Sequence, residues 1–262
     1  MTGSLVIVGL GIHIPGHLTS ETSQHIQDAD HLFYLTNGEE SDEWVASLNP
    51  VAENLASCYA LEKRRIDSYQ EMVDKMLAPV HEGKRVCAAF YGHPGVFVKP
   101  SHAAIRQARV EGLIAQMLPG VSAEDCLFAD LGIDPADKGC QSYEATDFLV
   151  RPRKFDTTTR LILWQVGVVG HLLAPVSGQI PKGLALLVRL LQQHYGDDHS
   201  VFIYEAATKP GETFHYQYVP LSEIKTAKIR VISTMYVPPT DEPTIDQKMM
   251  EQLGLAIEDL QA

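Results

Sequence analysis

Several features that would assign a chain quickly are missing from this sequence. The four cysteines, Cys58, Cys87, Cys126 and Cys140, include no C-x-x-C pair. A zinc knuckle or redox motif therefore has no basis, and the thiols read as reduced groups of a cytoplasmic protein. No metal-spaced set of His, Cys and Asp appears either. Basic charge is scarce: 21 Lys and Arg stand against 33 Asp and Glu, a formal charge of −12. This argues against a nucleic-acid partner, although Lys63-Arg64-Arg65 forms one local cluster. Long apolar runs are absent. The longest, Leu161 to Val176, is interrupted by Gln165, Gly167, Gly170 and His171 and is too short to span a membrane. No basic region precedes the first apolar stretch, so no signal peptide is expected. The nicotinamide fingerprint G-x-G-x-x-G is incomplete, because Ile14 stands where its third glycine belongs.

The 262 residues allow one large α/β domain or two modest ones. The chain is organised around VCAAFYGHPGVF, Val86 to Phe97. A short apolar run ending in Gly-His-Pro-Gly predicts a buried strand. Tyr91 and His93 then sit at its carboxyl end, where open α/β sheets bind ligands. Gly92 and Gly95 let a ligand approach the backbone. Further strands are expected at Leu5–Val8, His31–Leu35, Leu161–Gln165, Val201–Glu205, Phe214–Val219 and Lys228–Met235. Helices are expected from a cap at Ser20 or Thr22 to about Ala29, from Ser41, from Leu61 to about His81 and from Ser101 to about Met117. Others should follow Ser122 as a cap, run from Pro181 to about Tyr195, and follow a terminal cap at Asp241 or Thr244.

Strand-GHPGVF resembles the strand-Gly-Asp-Pro-x-x-Phe/Tyr signature of the tetrapyrrole (corrin/porphyrin) methylase superfamily, with His93 in place of the Asp. Four more stretches match in order: the glycine opening at Gly9 with its Gly16-His17-Leu18-Thr19 tail, Pro119-Gly120-Val121-Ser122-Ala123, Leu161–Gln165, and Ile203–Ala206 with Val231–Pro239. The resemblance implies an α/β class with two α/β subdomains, residues 1–120 and 121–262. S-adenosylmethionine would lie in the cleft between them and leave as S-adenosylhomocysteine. It assigns cofactor contacts to Leu10, Tyr91, His93, Val96, Phe97, Ser122, Ala123, Gln165, Tyr204, Ala206, Ser233 and Thr234. His93 either contacts a ligand or satisfies a turn.

Tyr59, Arg65, Tyr69 and Tyr91 resemble the set found in borosin α-N-methyltransferases, which methylate backbone amides of a ribosomally made peptide. Without that resemblance, an Arg-Tyr pair at i, i+4 is a surface stacking contact, and Lys63 and Arg64 form a solvated face. The chemistry fits the residue types. An amide nitrogen is a poor nucleophile because its lone pair is delocalised, so its proton must be removed or shared as the methyl arrives. Tyr69, beside the always-charged Arg65, is the expected base. Tyr59 and Tyr91 would position the peptide and polarise its carbonyl. The sequence alone does not decide which phenol is the base. No apolar core peptide follows the terminal helix before Ala262, so a separate precursor supplied in trans is expected, with a homodimer that assembles with two precursor chains. The alternatives are a tetrapyrrole C-methyltransferase and a non-catalytic protein that binds S-adenosylmethionine and a partner. A diphthine-synthase role leaves the Arg-Tyr set unexplained.

Overall fold

A computed structural model describes residues 2–60, 63–171 and 182–261. The first part of the chain runs β1 (Ser4–Gly9), α1 (Ser20–Asp28), β2 (His31–Leu35), α2 (Glu39–Ser47), β3 (Ala52–Asn54), α3 (Arg65–His81), β4 (Arg85–Phe90), α4 (Lys99–Val110) and β5 (Ile114–Met117). The second runs α5 (Ala123–Leu131), α6 (Pro135–Lys138), β6 (Cys140–Glu144), α7 (Ala145–Val150), β7 (Arg160–Trp164), α8 (Lys182–Tyr195), β8 (Ser200–Glu205), β9 (His215–Pro220), β10 (Thr234–Val237) and α9 (Gln247–Leu253). Two five-stranded sheets result. One has the order β3-β2-β4-β1-β5 and is parallel throughout. The other has the order β6-β7-β10-β8-β9, with only the β6–β7 pair parallel.

The apolar runs are continuous because both faces of each sheet are covered. In β4, Val86, Ala88 and Phe90 pack with Met72, Met76 and Ala104 of α3 and α4, while Cys87 and Ala89 pack with Ile26 and Val45 of α1 and α2. The second sheet divides in the same way. Leu161, Leu163 and Ile203 meet Leu187 and Leu191 of α8, and Ile162, Trp164, Tyr204 and Tyr236 meet Leu127 of α5. The α/β class with two sheets is thus as expected.

Several boundaries differ from expectation. The helix expected through Met117 stops at Val110, because Gly112 takes a left-handed φ of +76° and the chain returns as β5 beside β1. The last strand begins at Thr234 rather than Lys228, since residues 230–233 form a turn closed by the Ser233 N–H to Arg230 carbonyl bond. The first helix is capped by Thr19, whose side chain accepts from the Thr22 N–H, and α9 by Asp246 instead of Asp241 or Thr244. Helix α2 begins at Glu39, two residues before Ser41. Helix α3 begins at Arg65; the expected start at Leu61, the opening at Pro181 and the end of the 161–176 run lie outside the described residues. No helix among the described residues is long and apolar enough to cross a membrane.

All four cysteines are free. Burial pushes the Cys87 thiol up to about 12 and those of Cys126 and Cys140 up to about 11, and it also raises Cys58. Thiolate is the reactive form. Native protein at about pH 8, near the ordinary thiol value, is therefore expected to give no fast reaction with Ellman's reagent, and all four thiols to react after denaturation. One rapid native thiol would contradict this packing.

Candidate active site

A cavity of about 580 Å³ opens where the two sheets present their strand ends. Leu35, Phe90, Tyr91 and His93 bound it from the ends of β2 and β4. Trp164, Gln165, Tyr204 and Ala206 bound it from the ends of β7 and β8, and Ser122 to Glu124 from the start of α5.

Glycines allow the loops to cross here. A Cβ on Gly9 would lie 2.6 Å from the Gly92 carbonyl oxygen and 2.8 Å from the Gly120 Cα. Gly11 and Gly92 exchange backbone hydrogen bonds of 3.2 and 2.8 Å, with Gly92 at φ +70°. In the next turn His93 Nδ1 accepts from the Gly95 N–H at 2.9 Å, and His102 Nε2–H donates to the Gly95 carbonyl at 2.8 Å. His93 therefore serves the turn, as an aspartate acceptor would, and also lines the cavity. Ser122 and Asp125 form a capping box: Ser122 Oγ accepts from the Asp125 N–H at 3.2 Å, and Asp125 Oδ2 accepts from the Ser122 N–H at 2.7 Å.

Among the described residues, the only non-glycine positions at positive φ are Phe97 at 58° and Gln165 at 60°. Both line the cavity, one from each part of the chain. The Phe97 ring also meets the Trp164 ring at 5.7 Å between centroids. Left-handed backbone is uncommon for such residues and concentrates at functional sites.

Tyr59, Arg65, Tyr69 and Tyr91 converge on this cavity. Tyr59 follows a 3-10 turn, Leu55–Cys58, capped by Asn54. Arg65 and Tyr69 lie one turn apart at the start of α3, and the Tyr59 and Tyr69 rings meet edge to face at 6.5 Å. Burial pushes the Tyr59 hydroxyl well above the usual phenol range; Tyr69 and Tyr91 add to this, and the Arg65 charge opposes it without cancelling it. Burial likewise raises Tyr91, with a contribution from Tyr69. Tyr59 is 39% and Tyr91 45% exposed, but the cavity that both line is walled largely by aliphatic and aromatic groups. Both hydroxyls therefore keep their protons and can donate hydrogen bonds.

Lys63 is not part of a solvated face. Its Nζ donates to the Cys58 carbonyl at 2.9 Å, pairs with Glu71 and reaches the cavity. Arg64 is exposed and pairs with Asp67 at 2.8 Å. Leu10 and Ser233 do not reach the cavity wall. Leu10 is fully buried in the α1-side core, and the Ser233 hydroxyl donates inward to Glu205 Oε1 at 2.5 Å. The other expected cofactor residues, including Val96, Ala123 and Thr234, line the wall. Trp164, Val231 and Ile232 also line it and were not anticipated; the last two lie in the stretch expected to be strand. Among the described residues, no group of three or more His, Cys, Asp or Glu could hold a metal ion.

A wall of this kind, largely aliphatic and aromatic with backbone of glycine loops and a helix start, suits a nucleoside with a short amino-acid tail. The family model of the tetrapyrrole (corrin/porphyrin) methylases matches residues 4–224. A methyltransferase/ribosomally synthesized cyclic peptide dendrothelin A precursor of Dendrothele bispora is 42% identical over 96% of this chain and 61% of its own length. A methyltransferase/ribosomally synthesized type I borosin cyclic peptide precursor of Serendipita vermifera subsp. bescii is 40% identical over 97% of this chain and 63% of its own. The chain thus spans about three fifths of the length of these relatives. Among solved structures, uroporphyrin-III-C-methyltransferase from Thermus thermophilus aligns with a TM-score of 0.66 at 16% identity, covering 92% of this chain and 94% of its own, a likeness of fold.

Proposed function

The chain belongs to the tetrapyrrole (corrin/porphyrin) methylase family, and from that premise we propose that it is an S-adenosylmethionine-dependent methyltransferase acting on backbone amides of a ribosomally made precursor peptide. The observation that carries this reading is the convergence of three phenols and one guanidinium, Tyr59, Tyr69, Tyr91 and Arg65, on one cavity. A tetrapyrrole macrocycle, methylated on carbon, has no evident use for that set. The similarity to relatives named as methyltransferase and cyclic peptide precursor supports the same acceptor class.

S-adenosylmethionine, when bound, supplies an electrophilic methyl group. Tyr91, His93, Val96 and Phe97 would hold it from the first sheet, and Ser122, Ala123, Gln165, Tyr204, Ala206 and Thr234 from α5 and the second sheet. Tyr59 and Tyr91, held neutral, donate to the acceptor carbonyl and stabilise the negative charge that grows there. Tyr69, acting as the phenolate that the Arg65 guanidinium favours, takes the amide proton and becomes a neutral phenol as the methyl reaches the nitrogen.

The peptide is expected as a separate precursor chain, bound by a homodimer to give an assembly with two precursors. Support for a dimer comes from the C-terminal segment. No residue of α9 is buried, and Met249, Leu253, Ile257 and Leu260 are exposed along it and just beyond. Apolar side chains grouped in this way mark a contact surface. Removing residues 241–262 is expected to yield monomers by light scattering; an unchanged dimer would move the interface elsewhere.

Intact-mass analysis after co-expression with precursor-like peptides, separate or fused to the chain, tests the function. Successive gains of one methyl mass, located by fragmentation to backbone nitrogens, are expected. Methylation of a porphyrin or corrin precursor and of no peptide would overturn the proposal. Methylation of the fused peptide alone would overturn supply in trans.

A further inference from the structure

Behind the cavity wall lies a polar network that the tyrosine set does not use. Glu205, the last residue of β8, is 6% exposed, a depth at which a carboxylate is costly unless its oxygens are bonded. Both are bonded here. Oε1 accepts the Ser233 hydroxyl at 2.5 Å; Oε2 accepts Arg230 Nε–H at 2.8 Å and the Arg230 Nη2 group as well. Ser233 Oγ accepts the Arg230 backbone N–H at 2.8 Å. Burial works to raise the Glu205 carboxyl, but the bonds from Arg230 and Ser233 outweigh it and hold the group below the usual range. It therefore stays charged at neutral pH.

The network closes the turn 230–233 and faces its two middle residues to the cavity. Val231 is 40% and Ile232 58% exposed, and both line the wall. The turn is also backed from the other side: a Cβ on Gly167 would lie 1.8 Å from the Arg230 carbonyl oxygen. Two branched aliphatic side chains held this firmly toward a cavity are costly in water and gain by meeting an apolar ligand surface. Val168, Tyr204 and Ala206 line the wall from the same part of the chain, whereas Tyr59, Tyr69, Tyr91 and Arg65 come from the first part. If the polar wall takes the acceptor amide, the aliphatic wall is left for a flat, weakly polar group, the purine of the cofactor.

We infer that Glu205 is a positioning residue for the cofactor: through Ser233 and Arg230 it fixes the turn that sets Val231 and Ile232 against the purine. The inference rests on the function proposed above. Calorimetric titration of the full chain with S-adenosylhomocysteine tests it. Glu205→Gln is expected to weaken binding by about tenfold, the equivalent of ~1.4 kcal/mol, with Glu205→Asp recovering part of the loss. The kinetic effect should fall on the cofactor KM more than on kcat. Ile232→Ala leaves the network intact, so it should weaken binding without lowering the melting temperature, and it remains informative if Glu205→Gln does not fold. Wild-type affinity in Ile232→Ala, or a lower melting temperature with unchanged affinity in Glu205→Gln, would overturn the inference alone. No binding to the wild-type chain would overturn the cofactor reading and the inference with it.

Discussion

Tyr69→Phe is expected to lower peptide methylation by about 10²–10⁴-fold, the range for loss of a positioned general base, while S-adenosylhomocysteine binds as before. The expectation comes from dividing the labour among three phenols. Burial pushes the hydroxyls of Tyr59 and Tyr91 above the ordinary phenol range. At any pH below about 10 they remain neutral and act as donors. Tyr69 follows Arg65 by one helical turn, so a fixed positive charge accompanies the oxygen that must be negative, as the phenolate, before it takes the amide proton and becomes a neutral phenol. Removing one donor, in Tyr59→Phe or Tyr91→Phe, should cost less than removing the base, on the order of 10²-fold. Single-turnover mass spectrometry on a peptide acceptor separates chemistry from binding. Full activity in Tyr69→Phe would remove Tyr69 from the mechanism. A larger loss in Tyr59→Phe would give that residue the base role in spite of its burial. The same division predicts no fall in rate between neutrality and about pH 10 from loss of the donor protons, which a pH–rate profile checks.

The second large effect is structural. Gly9→Ala places a Cβ 2.6 Å from the Gly92 carbonyl oxygen, 2.8 Å from the Gly120 Cα and 2.9 Å from Pro94 Cδ. None of these atoms belongs to a flexible side chain. Gly92 is held by its two bonds to Gly11, and Gly120 directly precedes the loop into α5, so relief requires the end of β1 to move away from two loops at once. A loss of about 3 kcal/mol or more is expected, at the severe end for overpacking. In a chain of this size that lowers the melting temperature by roughly 10 °C. Gly112→Ala is the control. Its φ is +76° with nothing within 4 Å of the added carbon, so it bears only the backbone penalty, about 1 kcal/mol. Equal melting temperatures for the two variants would show that the loop crossing is looser than described.

Much of this architecture is legible from local chemistry. The apolar run before Gly92-His93-Pro94-Gly95 reads as a strand end because nothing else suits a short buried segment closed by glycine and proline. Ser122, with Asp125 three residues later, is a helix start whatever surrounds it. Position 112 is different: Glu111-Gly112 is a visible break, but whether the chain then resumes as helix or as strand depends on β1 lying open beside it, a partner more than a hundred residues away. Residues 228–235 alternate well enough to pass for strand. Arg230 and Ser233 bend them into a turn only because Glu205 is buried opposite, and no local pattern announces that. The candidate site divides along the same line. Tyr59, Arg65, Tyr69 and Tyr91 stand out through a family pattern, whereas their convergence comes from the register of β4 against β2 and the start of α3. Leu10 and Ser233 lie off the wall because each side chain is engaged elsewhere, Leu10 in the core beside α1 and the Ser233 hydroxyl with Glu205.

Phe97 and Gln165 carry a consequence for anyone who would toughen this protein. Each bears a side chain on left-handed backbone, a disadvantage of about 1–2 kcal/mol that glycine would remove. A variant library sorted by heat resistance alone should therefore drift to glycine at both positions, and in doing so erase two faces of the cavity. Endurance and turnover select in opposite directions at these residues, and a hardened form that still works must draw its gains from sites remote from both.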